Sequence, residues 1–538
     1  MNIKYILAAG FFCFLSGFDA VAQSAFDLYS ISQTDLKGTA RFMAMGGAFG
    51  ALGGDMSVIN QNPGGLGIYR SSEIGVTFDW NIKNTTVKAG TASSKVKDTN
   101  FNFNNIGYVG SFQTGISALP NINWGFSYSK AASFARRYGG VMPDLRNSMT
   151  NFVANQSYGW TAEELGAVAG GYNPYQESSA PWMSILAYNS YLINPYGNAT
   201  DGTYGGLFNK ATTGVGEFEV EERGQVDEYS ISIGGNACDL VYWGATIGIT
   251  DLDYSLYSYY GESLRNADVA YRVGENEYVG AGDAAWGLEN FFRMSGTGVN
   301  FKLGAILKPV NELRIGVAFH TPTFYALKSQ YYANTSYAFH SYDPMTTSDI
   351  EGDATTDEGY VGETNFDART PWKFIGSIAG VIGGRGIISF DYERVMYDGM
   401  SVSYDRWVDP DVRQNVKQYF QPSNIFRIGG EFKVTPQFSL RLGYSYQTSP
   451  MTEDIVNDRV DVVTAGTTLS YSLDDKIQHV TAGLGYRYKA FYLDFAYVYK
   501  ERQSNFHAFS SEESVPLPPL ANVKDQNHEV VFSLGFKF

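Results

Sequence analysis

The stretch HVTAGLGYRYKAFYLDFAYVY, residues 479–499, alternates two kinds of side chain with a period of two. One face of its first half is apolar and aromatic and comprises Val480, Ala482, Leu484, Tyr486 and Tyr488. After Ala490 the alternation resumes in Phe491, Leu493, Phe495, Tyr497 and Tyr499. Period two with one wholly apolar face indicates strands of a sheet whose two faces meet different environments. Strands this long favour a transmembrane barrel, with lipid outside and a polar lumen inside, over a soluble sandwich.

The same alternation continues through the chain after residue 71. We predict fourteen strands, at residues 72–87, 101–115, 121–131, 226–236, 241–256, 295–308, 312–324, 371–382, 386–397, 424–434, 437–448, 477–489, 491–501 and 528–538. The even-numbered connections are brief and the odd-numbered ones are longer. Short periplasmic turns alternating with long extracellular loops are the topology of an outer-membrane barrel. We therefore predict an all-β fold, a 14-stranded antiparallel transmembrane β-barrel over residues 72–538, with long extracellular loops at 132–225, 257–294 and 325–370.

The two ends of the chain fit an exported barrel. Residues 1–22 read as a signal peptide, because an apolar run too short to span a bilayer precedes the small-x-small sequence Ala20-Val21-Ala22. The last strand ends at Phe538, an aromatic terminus of the kind that the barrel assembly machinery is thought to recognise. The formal net charge of -16 argues against nucleic acid as a partner, and the one cysteine left after cleavage, Cys238, permits no internal disulfide.

Between the leader and the first strand lies ARFMAMGGAFGALGGDMSVINQNPGGLG, residues 40–67. Glycine weakens strand interiors and Pro63 removes a donor of the strand ladder, so this segment is not a strand. We predict that residues 23–71 form a small N-terminal hatch that plugs the barrel lumen.

The hatch sequence resembles the N-terminal hatch of the FadL and TodX family of outer-membrane transporters. Asn62, Pro63, Gly65 and Leu66 match the family's asparagine-proline-alanine-glycine-leucine motif, and Gly64 replaces the alanine. The stretches KPVNELRIGVAFHTP at 308–322 and FRIGGEFKVTPQFSLRLGYSYQTSP at 426–450 are similar to hairpins of the same family. The resemblance implies a 14-stranded barrel with a hatch, located in the outer membrane.

The resemblance also implies uptake of long-chain fatty acids or other hydrophobic compounds. In the family, ligand lands between the third and fourth extracellular loops, moves to a site against the hatch and leaves sideways at a kink in strand three. Residues 62–66 are then the gate, and Gly125 marks the kink or only makes room in the lumen. Candidates for loop binding, or alternatively aromatic girdle and packing residues, are Trp286, Leu288, Phe291, Phe292, Tyr325, Leu327, Tyr331 and Tyr332.

Four arginines on predicted inward faces are candidates to hold a ligand carboxylate, or else line a wet lumen with ion pairs: Arg314, Arg427, Arg441 and Arg487. We expect a monomer whose partners are a hydrophobic ligand, outer-membrane lipid and lipopolysaccharide. We expect no catalytic residue, no metal and no cofactor.

Three rival functions remain open at this point. A haem or haemin receptor would use His320 and His479, both on inward faces. An enzyme would need a base beside a nucleophile or paired carboxylates, and His340-Ser341 and His528-Glu529 are the nearest local pairs. A purely structural or adhesive barrel would use the long loop after strand three.

Overall fold

The computed structural model describes residues 23–168, 170–195, 202–273, 276–343, 349–510 and 519–538. The predicted signal peptide, residues 1–22, lies outside the described residues. Among the helices of the described ranges, none has the length and apolarity needed to span a bilayer.

Fourteen strands form one closed antiparallel ladder. They are β1 Glu73–Ala89, β2 Ala92–Ile116, β3 Leu119–Ser133, β4 Thr213–Ala237, β5 Val241–Val273, β6 Asn276–Val310, β7 in two pieces Leu313–His320 and Phe324–Ser341, β8 in two pieces Gly362–Arg369 and Trp372–Ile382, β9 Gly386–Met396, β10 Ser423–Lys433, β11 Phe438–Gln447, β12 Tyr471–Tyr488, β13 Phe491–His507 and β14 Leu520–Lys537. Each strand pairs with the next, and β14 pairs with β1 to close the barrel. The predicted fold class and strand number are confirmed.

A belt of large apolar side chains faces outward around the barrel. Its members include Phe112, Ile231, Ile247, Leu303, Val317, Leu442 and Leu534, each about half exposed or more. A surface this apolar on a closed barrel faces lipid, because so large an apolar area is unfavourable in water and the strands that carry it pair with neighbours on both sides. The protein is therefore a transmembrane barrel of the outer-membrane type, as the sequence predicted.

Strands β4 to β7 continue far above the belt. The segments 257–294 and 325–370, predicted as loops, consist largely of strand, and this part of the prediction is wrong. The cause is visible in the pairing, where Tyr257 lies opposite Phe291 and Phe291 opposite Tyr332, so that cross-strand aromatic contacts extend the sheet.

The described residues between 143 and 212, namely 143–168, 170–195 and 202–212, form a helical cap over the extracellular mouth. The cap helices are α4 Met149–Gln156, α5 Ala162–Leu165, α6 Pro174–Glu177 and α7 Trp182–Asn189. Ser148, Thr161 and Asn173 accept hydrogen bonds from the backbone N–H groups that open three of them, which is how the chain begins each helix. Phe152, Val153 and Ile185 pack with the inward-facing Trp286 and Leu288 in one apolar core.

The hatch occupies the lumen. Its helices are α1 Ala25–Ser32, α2 Ala40–Ala44 and α3 Val58–Gln61, followed by a 3-10 helix at Pro63–Ile68. The remaining short elements are strands Arg136–Met142, Asn194–Pro195, Tyr204–Gly205, Ile350–Thr355, Ser401–Tyr404 and Trp407–Val408, helices Pro410–Tyr419 and Glu453–Val456, and 3-10 turns Thr356–Gly359 and Tyr397–Gly399. The prediction of a hatch inside the lumen is confirmed.

Candidate functional site

Asn62 organises the lower part of the hatch. Its fully buried side chain accepts a hydrogen bond from the Gly64 N–H at 3.0 Å and donates to the carbonyl oxygens of Gly50 and, at 3.4 Å, Ala305 of the barrel wall. Pro63 occupies the first position of the 3-10 helix, where its fixed φ is favourable and its missing N–H costs nothing. The asparagine-proline pair therefore ends one helix, begins the next and ties both to β6.

Gly64 and Gly65 lie where the hatch touches the wall and itself. A Cβ at Gly64 would lie 2.8 Å from the Ala305 Cα, and one at Gly65 would lie 2.9 Å from the Gly53 Cα. Leu66 is completely buried, and its Cδ1 atom lies under Gly125 of β3. The departure from the family motif at Gly64 thus has a steric cause, because β6 leaves no room for an alanine methyl group.

Buried ion pairs hold the hatch to the barrel, in line with the predicted alternative of a wet lumen lined with ion pairs. Arg41 donates to Glu431 from Nε at 2.8 Å and Nη2 at 3.1 Å. Higher in the lumen, Lys37 contacts Asp79 at 2.8 Å and Glu529 at 3.1 Å. All these side chains are buried or nearly so, which makes the pairs costly to break singly.

The four arginine candidates have different positions. Arg441 donates from Nε to Glu431 at 2.7 Å, and Arg427 pairs with Glu393 at 2.7 Å. Arg314 donates from Nη1 to the hatch carbonyl oxygen of Leu52 at 2.8 Å. The prediction for Arg487 is wrong, because its side chain is exposed beside the short β12–β13 turn rather than enclosed in the lumen. The three buried arginines brace the wall and the hatch.

Gly125 does not mark a kink. It pairs with Val109 of β2 and Ser232 of β4, and the ladder keeps its register on both sides of it. A Cβ there would lie 2.9 Å from the Ile59 Cδ1 atom of the hatch. The prediction of a lateral opening at Gly125 is therefore wrong, and the glycine makes room for the hatch.

The wall opens higher along the same strand. The β2–β3 ladder ends at the pair Asn105 and Ser129, so among the described pairings residues 92–104 of β2 bond only to β1. Strand β3 has an irregularity between Lys130 and Ala132 in its pairing with β4. The chain beyond it turns into the lumen, where Arg136 donates to Asp525 of β14 at 2.8 Å. No glycine accompanies this bend, which is why the sequence did not indicate it.

Of the eight loop candidates, six face inward and two face outward. Trp286 and Leu288 belong to the cap core, whereas Phe292, Tyr325 and Leu327 pack in a second core with the first hatch helix. The ring of Tyr331 lies 4.9 Å from that of Trp182 in the cap, centroid to centroid. Phe291 and Tyr332 are stacked on the outer face of the sheet, with ring centroids 4.4 Å apart, and their role in ligand capture stays a prediction.

Several cavities lie along this interior. One of about 90 Å³ adjoins the wall opening and is lined by Lys83, Val96, Phe134 and Arg136. A second, of about 100 Å³, is more aromatic, with Phe26, Tyr138, Tyr254, Phe292 and Tyr331 in its lining, and it shares Arg136 with the first. A third of about 200 Å³ lies above the hatch. A fourth, the outer cavity, has about 880 Å³, lies at the upper ends of the β5–β6 hairpin and β7, and includes cap residues 144–146 in its lining.

The histidines named for rival functions have separate surroundings. The Nε2 atom of His320 lies 2.8 Å from the Gln61 carbonyl oxygen of the hatch, and within the described residues no group of three metal-ligating side chains converges. His340 is exposed and pairs with Asp349 at 2.7 Å, while its neighbour Ser341 is buried.

A closed barrel with a lipid-facing belt and a lumen hatch defines a class of outer-membrane protein. No protein-family model and no curated protein sequence matches the chain. Its fold is similar to that of a Pseudomonas aeruginosa FadL homologue, with a TM-score of 0.51 and 10% sequence identity over 94% of this chain and 99% of that one. Over the same shares of both chains, the structure also aligns with the Pseudomonas putida toluene transporter TodX, at 14% sequence identity and a TM-score of 0.45. The alignment with the Ralstonia pickettii toluene transporter TbuX has 13% sequence identity and a TM-score of 0.43. The likeness to the FadL homologue establishes a shared fold, so the fold implied by the sequence resemblance is confirmed.

Proposed function

We propose that this protein takes up hydrophobic or amphiphilic small molecules, with long-chain fatty acids the leading candidates, across the outer membrane. The observation that carries the proposal is the combination of a lumen blocked by the hatch with a wall that opens beside it at the upper edge of β2. A hydrophobic solute lowers its free energy when it leaves sideways into the lipid of the membrane, whereas a water-soluble solute does not.

The outer cavity is suited to first capture. Its lining includes the apolar side chains Leu145, Val215 and Ile350, with Arg146 and Arg265 at the edge. Burying each methylene contributes about 0.8 kcal/mol, so even partial burial of a long acyl chain gives useful affinity. The position between the β5–β6 hairpin and β7 agrees with the predicted landing place between the third and fourth extracellular segments.

The inner cavities favour a cargo with an anionic end. Lys83 donates to the Ala135 carbonyl oxygen, and in the part of the chain that the structure describes it has no carboxylate within ion-pair distance. It lines the cavity at the wall opening, next to the more aromatic cavity that shares Arg136. We infer that the part of the acyl chain next to the carboxylate enters the aromatic cavity while the carboxylate meets Lys83, before the molecule leaves through the wall.

Filling the opening tests this route. Ala132 is buried and lines the cavity at the wall opening. Replacing the Ala132 methyl group with an indole places a large rigid side chain directly in this cavity, so Ala132→Trp should obstruct it. We expect uptake of radiolabelled oleate by a strain expressing Ala132→Trp to fall to the level of the deletion strain. Ala326→Trp, on the exposed outer face of β7, is the matched control and should transport normally.

Heat-modifiable electrophoretic mobility reports whether each variant has folded. If folded Ala132→Trp imports oleate as fast as the wild type, the proposed exit is wrong. If the wild type imports no oleate and the purified protein carries no lipid in mass spectrometry, the proposed function itself fails.

A further inference from the structure

The outer face of the extended β4–β7 sheet is ordered into rows of side chains that run across the strands. The top row of the lipid-facing belt is Tyr229, Ile249, Val299 and Phe324. Above it the character changes, since Asp227 pairs with Asp251 in the next row. This carboxylate row marks the upper limit of the hydrocarbon, because isolated carboxylates are costly in lipid.

A cationic row follows, three rows above the belt. Arg223 and Arg293 flank Ser255 in it, and their side chains are 71% and 55% exposed. Each arginine has one carboxylate neighbour, Glu221 at 2.6 Å and Asp253 at 3.0 Å. Exposed ion pairs of this kind contribute little, so a phosphate that binds an arginine in a bidentate manner displaces them readily.

An aromatic row lies immediately above the cationic row. Phe291 is stacked on Tyr332, with ring centroids 4.4 Å apart and planes 11° apart, and Tyr257 lies 5.1 Å from Phe291 on the other side. In the next row the ring of Tyr259 lies over Gly287, where a Cβ would be 2.8 Å from the ring. The glycine lets the ring lie flat, so the face is a shallow aromatic platform. Glu289 and Glu217 accept hydrogen bonds from the hydroxyl groups of Tyr257 and Tyr259.

The heights of these rows identify what surrounds them. A row is two residues, so the aromatic row is eight residues above the belt, or roughly 27 Å along strands that rise about 3.4 Å per residue. With the usual barrel tilt of about 40°, this is about 20 Å above the hydrocarbon, and the cationic row is about 15 Å above it. Lipid headgroups reach only about 5 to 8 Å beyond the hydrocarbon. In an outer membrane, the layer at this height consists of the phosphorylated sugars of lipopolysaccharide.

We propose that this face, the cationic row Arg223 and Arg293 with the aromatic platform Tyr257, Phe291, Tyr332 and Tyr259, binds the phosphorylated core saccharide of lipopolysaccharide. Phosphate groups meet the guanidinium groups of the lower row. The C–H face of a sugar ring stacks on the negative π faces of the upper row, and its hydroxyl groups donate to Glu289 and Glu217. None of these side chains lines the outer cavity, and the inner cavities of the proposed transport route lie on the opposite face of the same strands.

Binding of deacylated lipopolysaccharide to the detergent-solubilised full chain tests the proposal, because without acyl chains the saccharide has no affinity for the belt. We expect saturable binding that weakens at least tenfold in Arg223→Gln/Arg293→Gln and in Phe291→Ala/Tyr332→Ala. Enzymatic removal of the phosphates should reproduce the effect of the arginine changes. Arg459→Gln, at another exposed ion pair, and Tyr158→Ala, at another exposed aromatic residue, are the matched controls and should bind like the wild type.

A photocrosslinking residue in place of Tyr332 gives a second measurement that does not depend on the folding of double variants. In living cells it should capture lipopolysaccharide. Capture of a protein instead, absence of saturable binding to the wild type, or equal binding by the double variants and the controls would overturn the proposal.

Discussion

The ion pair that joins the hatch to the wall at Glu431 allows a quantitative prediction of how often the hatch opens. The Glu431 side chain is 4% exposed and accepts hydrogen bonds from Arg41 of the hatch and Arg441 of β11. In Glu431→Gln, Arg441 keeps its second carboxylate, Asp494, but Arg41 loses its only ion pair among the described contacts. Removing one partner of a buried pair costs about 3 to 5 kcal/mol, and the 20% exposure of Arg41 favours the lower figure. A loss of about 3 kcal/mol raises the open population of the hatch by about 100-fold.

Hydrogen exchange measured by mass spectrometry reports this opening directly. In Glu431→Gln we expect the slow amides of residues 40–67 to exchange about 100-fold faster, while amides of the barrel strands keep their protection. Glu363→Gln, which removes the exposed carboxylate near Lys328, is the matched control and should leave the hatch unchanged. A double-mutant cycle with Arg41→Met should show strong coupling. Strict additivity, or hatch protection within threefold of the wild type in folded Glu431→Gln, would refute the reasoning.

Three further changes probe the hatch and the cap by the same exchange measurement. Gly304→Val would drive a side chain into Asn62 Oδ1 and should deprotect residues 40–67, whereas Gly376→Val on β8, with open space around it, should not. Asp357→Ala removes the carboxylate oxygen that accepts hydrogen bonds from Asn173 at 2.7 Å and Gln176 at 2.9 Å. The free energy that opens helix α6 should therefore fall by about 1 to 2 kcal/mol. Glu358→Ala, at a neighbouring position with the same left-handed backbone, is the control and should have no such effect. Burial raises the pKa of Glu262 from 4.5 to about 7, so the folded cap binds a proton that the unfolded chain releases. The stability of the cap, measured by exchange at helix α4, should therefore fall by up to about 3 kcal/mol as pH rises from 4.5 through 7. Glu262→Gln should abolish this dependence on pH. A wild-type cap whose stability does not change with pH would contradict the prediction.

The barrel could be predicted because a lipid-facing strand carries its information locally. Period-two alternation, as in residues 479–499, fixes both the strand and its outward face. Above the membrane this contrast is lost, since both faces of the sheet meet polar surroundings or the cap. From the sequence alone, the aromatic residues of β5 to β7 are therefore predicted to lie in ligand-binding loops, although in the structure they pair across strands.

The faces of the loop candidates follow from the same alternation once the strands are known. Phe291 and Phe292 are neighbours, as are Tyr331 and Tyr332, so one of each pair must face outward. Counting by twos from the outward Val299 places Phe291 outside, and Phe292 therefore inside. The bend of β3 near Ala132 is different, because it depends on the hatch, whose Asp35 N–H donates to the Ala131 carbonyl oxygen at 3.3 Å, and no residue of β3 alone encodes that contact.

The close fit of the hatch bears on how any cargo leaves. Hatch backbone approaches the wall at Gly244, Gly304, Gly316, Gly429 and Gly443, on five strands, so closely that a methyl group would overlap it. Ion pairs and the Asn62 hydrogen bonds join the same surfaces. Opening an axial path would break these contacts together. Above Asn105, by contrast, the described contacts between β2 and β3 are made by side chains and not by ladder hydrogen bonds, as where Lys130 donates to Asn102 at 3.2 Å. A route that leaves the hatch seated and uses this edge therefore has the lower cost. It predicts that uptake stays intact when the hatch is fixed to β12 by a cross-link between positions 44 and 481, where the Thr481 hydroxyl group donates to the Ala44 carbonyl oxygen at 2.8 Å.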